Sequence, residues 1–87
     1  MPRYLIHRTG GAISDAELDA AAETSARVRD EQFPDITWEH SHVVRTPEGL
    51  TTYCVYGAPD EQAVRDHASA AGLPVDAVYV IERDIVA

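Results

Sequence analysis

The sequence predicts an α+β domain in which two helices cover one face of a four-stranded antiparallel sheet. Three observations support this: apolar strand-like runs near both ends of the chain, a hairpin signal in the middle, and two capped segments with helical spacing. In chain order they give strand, helix, strand, strand, helix, strand, which is the ferredoxin-like βαββαβ arrangement. We expect residues 1–87 to form this single domain.

The first strand and the first helix are delimited by local signals. Arg3 to Arg8 is strand-like, and the Gly10-Gly11 pair that follows interrupts any regular element. Ser14-Asp15-Ala16-Glu17 fits a capping box, in which the serine side chain caps the amide of the glutamate. The helix should run from Asp15 to about Glu31, because Phe33-Pro34-Asp35 ends it.

The middle of the chain predicts a hairpin with strands near 36–45 and 50–57. Pro47-Glu48-Gly49 fits a three-residue loop, with proline presetting the first dihedral angle and glycine taking positive φ. Such a loop pairs Thr46 with Leu50, and counting back places His42 opposite Cys54 and His40 diagonal to it. A loop of two or four residues would instead turn Cys54 to the other face.

A second helix and a last strand complete the domain. Pro59-Asp60-Glu61 begins the helix, and Gly72-Leu73-Pro74 ends it with a left-handed glycine cap. The last strand is expected over 77–84. Consecutive apolar residues within several strands give both faces of the sheet some apolar character, and the helices cover only one. We therefore expect a homodimer that covers the other face.

Composition narrows the classes of function. Seven basic and fifteen acidic residues give a net charge of −8, so nucleic acid and anionic membranes are not expected partners. A single cysteine excludes an internal disulfide, and the N-terminal apolar run is too short for a signal peptide. These features predict a cytoplasmic protein.

The histidines and the cysteine predict a metal site. His40 and His42 are two positions apart on a strand, so their side chains point the same way, and the predicted register puts Cys54 beside them. His67 on the second helix completes the set if the helices cover that face. Imidazole with thiolate favours nickel, zinc or copper over magnesium or calcium. His7 is left outside this site.

The same segments resemble a family of short bacterial domains, formerly of unknown function and now known as nickel-binding proteins. The resemblance is carried by Trp38-x-His40-Ser41, by Tyr53-Cys54-Val55-Tyr56-x-Ala58-Pro59, by Val64-Arg65-Asp66-His67-Ala68 and by Ala71-Gly72-Leu73-Pro74. It implies a dimeric ferredoxin-like fold and nickel binding. We expect the role to be metal buffering, delivery or sensing, which requires no turnover. His42 stands where the family commonly has an aromatic residue, and Gly57 stands where glutamate is common.

Two other functions are compatible with the residues. One is a small dimeric enzyme of the monooxygenase or isomerase type, with an aromatic and histidine pocket formed by Trp38, His40, Tyr53, Tyr56 and His67. The other is a metal-free interaction domain, in which Cys54 is a core residue and the histidines are structural or solvated. A cavity of about 300 Å³ or more beside His40 or His67 would favour the enzyme.

Overall fold

The computed structural model describes residues 1–9 and 14–87, and these have the expected ferredoxin-like order. The elements are β1 (Arg3–Thr9), α1 (Asp15–Gln32), β2 (Thr37–Thr46), β3 (Gly49–Gly57), α2 (Glu61–Ala71) and β4 (Ala77–Val80). The strands form one antiparallel sheet in the order β2-β3-β1-β4. This confirms the predicted fold class, while the Gly10-Gly11 pair expected to end β1 lies outside the described residues.

Both helices begin, and α2 ends, at residues that suit those positions. The Ser14 hydroxyl accepts a hydrogen bond from the amide of Glu17 at 3.2 Å, and the Asp60 carboxylate accepts one from the amide of Ala63 at 2.8 Å. Gly72 ends α2 in the left-handed conformation, at φ 70° and ψ 30°. Within the described residues, neither helix is long and apolar enough to cross a membrane.

The hydrophobic core lies between the helices and one face of the sheet. Tyr4 and Ile6 of β1 pair with Tyr56 and Cys54 of β3, and all four are buried against Val64 of α2. Side chains alternate along a strand, so the intervening residues face away from the helices. We call that side the open face; it carries Leu5, His7, His40, His42, Tyr53, Val55 and Tyr79.

The predicted hairpin loop is wrong by one residue. Thr46 pairs with Gly49, so the loop is Pro47-Glu48 and the glycine belongs to the ladder, where it has a φ of 111°. The Thr46 hydroxyl donates a hydrogen bond to the carbonyl of Gly49 at 3.1 Å, which closes this tighter turn. The one-residue change places Ser41, and not His42, opposite Cys54.

A β-bulge interrupts β2 at Glu39. Trp38 is opposite Tyr56 and His40 is opposite Val55, so Glu39 is the extra residue between them. The bulge puts Trp38 and Ser41, three positions apart, on the helix side of the sheet. There the indole nitrogen of Trp38 donates a hydrogen bond to the Ser41 hydroxyl at 2.9 Å.

Candidate metal centre

The structure separates the four predicted ligands into two pairs on opposite sides of the sheet. His40 and His42 are exposed on the open face, whereas Cys54 and His67 are buried on the helix side. The expected convergence of His42 and Cys54 is therefore wrong, because it depended on a three-residue loop. Among the described residues, no three histidine, cysteine or acidic side chains lie close enough together to hold a metal ion.

His40 and His42 nevertheless form a close imidazole pair. Their ring centroids are 5.2 Å apart and their planes are inclined by 73°. Both rings stand on β2, which is an edge strand of the sheet, and both are exposed. This pair is the part of the predicted site that the fold brings together.

A third imidazole, His7, stands on the same face. His42 is opposite Tyr53, and Tyr53 is opposite His7, so these three rings form a row across β2, β3 and β1. His7 is not among the ligands that the sequence predicts, although the ferredoxin-like strand order puts β1 beside β3. The signal for His7 is the antiparallel pairing of β1 with β3, which puts His7 opposite Tyr53.

Glu39 also reaches the open face, but a guanidinium group holds its carboxylate. Arg3 donates to both carboxylate oxygens of Glu39, at 2.6 and 3.0 Å, and also to Asp84 at 2.7 Å. The hydrogen bonds from Arg3 lower the pKa of Glu39. A carboxylate held in this way is a poor candidate for completing a metal site at His40.

Cys54 is a small core residue in this fold. It is 7% exposed, carries a free thiol and packs with Tyr4, Ile6 and Tyr56 beneath the helices. The sheet itself separates its sulfur from the imidazole pair, because its cross-strand neighbours Ile6 and Ser41 share the helix side. Its position fits the alternative in which this cysteine is a core residue.

His67 is fully buried and occupied by structural contacts. Its Nε2 lies 3.0 Å from the carbonyl oxygen of Ser25, so the ring donates its proton there and links α2 to α1. The rings of Phe33 and Tyr56 pack against it, with centroids 5.6 and 5.7 Å away. Burial lowers the pKa of His67 and Arg8 and Arg29 lower it further, while the Ser25 carbonyl opposes them.

A pocket of about 280 Å³ lies on the helix side of the sheet, next to α1. Trp38 and Tyr56 line it, as the enzyme alternative expected, but His40 and His67 are absent from its described lining. Tyr53 is on the open face. The aromatic and histidine pocket of that alternative is therefore not assembled from the residues that were proposed for it.

Comparison with known proteins agrees with the fold and identifies the family. The chain is similar to the crystal structure of SCO4226 from Streptomyces coelicolor A3(2), with 19% sequence identity and a TM-score of 0.76. The alignment covers 95% of this chain and 99% of that chain, and at this identity it shows the fold alone. No curated protein matches the sequence significantly. The model of the family described as nickel responsive protein SCO4226-like matches residues 4–85, and the chain therefore belongs to that family.

Proposed function

We propose that the protein binds a transition-metal ion, nickel in the first place, through His40 and His42 on the open face. The observation that carries the proposal is the exposed pair of imidazole rings, with centroids 5.2 Å apart on one strand. The description of the family as nickel responsive supports nickel as the ion. Imidazole nitrogen is also a good ligand for zinc and copper, so these are the competing metals.

The donor set favours binding over catalysis. Two imidazoles leave several coordination positions to water or to groups from a second molecule, which suits buffering, delivery or sensing of an ion. Only neutral imidazole coordinates a metal, so binding releases protons and weakens as the solution is acidified. Cys54 and His67 are not part of this proposed set, because the sheet separates them from the pair.

A homodimer through the open face is the second part of the proposal. Leu5 is half-buried on this face and Val55 beside it is buried, whereas the neighbouring Tyr79 on β4 is 58% exposed. The two helices pack on the other side, so a second copy of the chain is the simplest cover for these side chains. The buried free thiol and the net charge of −8 agree with a cytoplasmic location.

Calorimetric titration with nickel, zinc and copper tests the metal site. His40→Ala and His42→Ala should each lower nickel affinity by at least about tenfold, since each removes one of the two imidazole ligands. Cys54→Ala is the control, and its affinity should match that of the wild type because the sulfur lies on the other side of the sheet. The proposal fails if no metal binds near neutral pH, or if only the cysteine variant loses binding.

Sedimentation velocity tests the dimer. Tyr79→Lys puts a charge at the exposed apolar side chain that β4 contributes to the open face, and it should shift the protein towards monomer. Ala70→Lys adds the same charge on the exposed side of α2 and should leave the association unchanged. A wild-type protein that sediments as a monomer at high concentration would refute the dimer without affecting the metal proposal.

A further inference from the structure

The pocket on the helix side of the sheet contains a buried cation. Its volume is about 280 Å³, and it is lined by Leu18 of α1, by Trp38 and Val43 of β2, by Tyr56 of β3 and by Arg8 of β1. Most of the lining residues are apolar. The polar ones are Arg8, which supplies a guanidinium group, together with Asp19, Ser25, Ser41 and Thr52. Pockets that combine an apolar wall with a few placed polar groups are typical of small-molecule sites.

Arg8 is incompletely satisfied by the protein. Its side chain belongs to a residue that is only 6% exposed, and its Nη1 donates a hydrogen bond to the carbonyl of Pro74 at 2.9 Å. The guanidinium carbon lies 5.8 Å from the centre of the Tyr56 ring. Its Nη2 is buried and has no hydrogen-bond partner among the described residues.

A buried guanidinium group with an unpaired N–H group and no anionic partner is unusual. Buried cations are normally paired with an anion, and buried N–H groups normally have an acceptor, because leaving either unmatched costs free energy. The ion pairs of the described residues involve Arg3, Arg29 and Arg65, and Arg8 takes part in none of them. An anionic acceptor from outside the chain would supply what Arg8 lacks.

We propose that this pocket binds a small organic monocarboxylate, whose carboxylate accepts hydrogen bonds from Nη2 of Arg8. The apolar part of the ligand packs against Leu18, Trp38 and Val43. The volume lies just below the roughly 300 to 1,000 Å³ of pockets for drug-sized ligands, so the acid is small. Arginine suits this role because its planar group matches the geometry of a carboxylate.

Asp19 disfavours ligands that carry a second negative charge. It lines the same pocket from α1 and is exposed, which places its carboxylate towards the solvent side. A ligand with one carboxylate at Arg8 keeps its apolar end near Asp19, whereas a second carboxylate there is repelled. Dicarboxylates are therefore disfavoured, and inorganic phosphate is disfavoured because it has no apolar part to pack against Leu18, Trp38 and Val43.

The pocket is independent of the proposed metal site. Trp38 and Ser41 line the pocket, whereas His40 and His42 stand on the other face of the same strand. No imidazole contributes to its described lining, so the pocket is suited to binding and lacks the usual general base. Loss of metal binding and loss of acid binding can consequently be distinguished by separate variants.

Trp38 provides the readout, because it is the single tryptophan of the chain and it lines the pocket. Tryptophan fluorescence is recorded during titration with benzoate and hexanoate, and with the uncharged benzamide and hexanamide. The acids should give saturable changes and bind at least about tenfold more tightly than the amides, because charge-assisted hydrogen bonds are the stronger ones. Equal affinities for acids and amides would overturn the proposal.

Substitutions test whether Arg8 is the residue that binds the carboxylate. Arg8→Gln should lower the affinity for benzoate at least about tenfold, whereas Arg27→Gln, which removes the same charge from the exposed side of α1, should not. Asp19→Asn should keep monocarboxylate binding and admit phthalate, a dicarboxylate, and it keeps the proposal testable if Arg8→Gln fails to fold. The proposal would be refuted if Arg8→Gln had the same affinity for benzoate as the wild type. It would also be refuted if the wild type bound phosphate as tightly as benzoate.

Discussion

The imidazole ring of His7 lies parallel to the ring of Tyr53, with centroids 4.8 Å apart and planes only 1° from parallel. The two residues are directly opposed on β1 and β3, and His42 is opposed to the other side of Tyr53 on β2. The aromatic ring thus separates His7 from the imidazole pair. It also explains why His7 is excluded from the proposed ligand set although it shares the open face.

The contact between the rings of His7 and Tyr53 should stabilise the fold beyond the effect of burying the two side chains. We expect a coupling of about 0.5 to 1.5 kcal/mol between His7→Leu and Tyr53→Leu in a double-mutant cycle, measured by urea unfolding. Tyr53→Phe retains the ring and should keep most of the coupling. If the losses in free energy of unfolding from the two leucine substitutions are additive, the stacking of the rings contributes nothing beyond the burial of the side chains.

The observed hairpin register can be tested with disulfide formation. Ser41 and Cys54 are directly opposed, so Ser41→Cys should form an intramolecular disulfide with Cys54 under mild oxidation. His42→Cys should not, because residue 42 is opposite Tyr53 and its side chain points to the other face. Free-thiol titration and mass spectrometry measure the outcome, and the reverse result would restore the three-residue loop.

Gly49 should be sensitive to substitution because of its backbone conformation. Its φ is 111°, and an added Cβ would meet no atom within 4 Å, so any cost comes from the backbone alone. Gly49→Ala should lower the free energy of unfolding by about 1 to 3 kcal/mol. Gly57→Ala is the control: its φ is ordinary and its new Cβ would lie 3.5 Å from Met1, an ordinary contact, so a smaller loss is expected.

The buried His67 should make stability depend on pH. Its pKa is lowered in the folded protein, so the unfolded chain binds more protons over the range between the lowered pKa and the ordinary value of about 6.5. Stability should therefore fall as the pH falls through and below the ordinary histidine pKa of about 6.5. His67→Gln should be less stable overall but should show a shallower slope in urea unfolding, and an unchanged slope would contradict this origin.

Much of the fold could be predicted because the element ends carry strong local signals. Ser14, Asp60 and Gly72 begin or end their helices by hydrogen bonds and dihedral angles that only a few residue types provide. The helix side of the sheet was harder to assign, since both faces contain apolar residues. Only the packing of Tyr4 and Ile6 under the helices decides it.

The candidate site could be predicted only in part. His40 and His42 share a face whichever register β2 has, because both stand on the same strand two positions apart. Their relation to Cys54 depends on whether Gly49 is the last residue of the loop or the first of the ladder. Pro47-Glu48-Gly49 is compatible with both turns, and a positive φ at the glycine is common to both.

The bulge at Glu39 has a consequence for insertions and deletions in this chain. On either side of it, Trp38 is paired with Tyr56 and His40 with Val55. Removing Glu39 would restore an unbroken ladder and leave every other side chain of β2 on its present face, at the loss of the contact with Arg3. A residue added between Pro47 and Glu48 cannot be accommodated in this way. It would lengthen the turn on which the pairing of β2 with β3 depends. Length variation among related chains is therefore expected at position 39 and disfavoured in the hairpin loop.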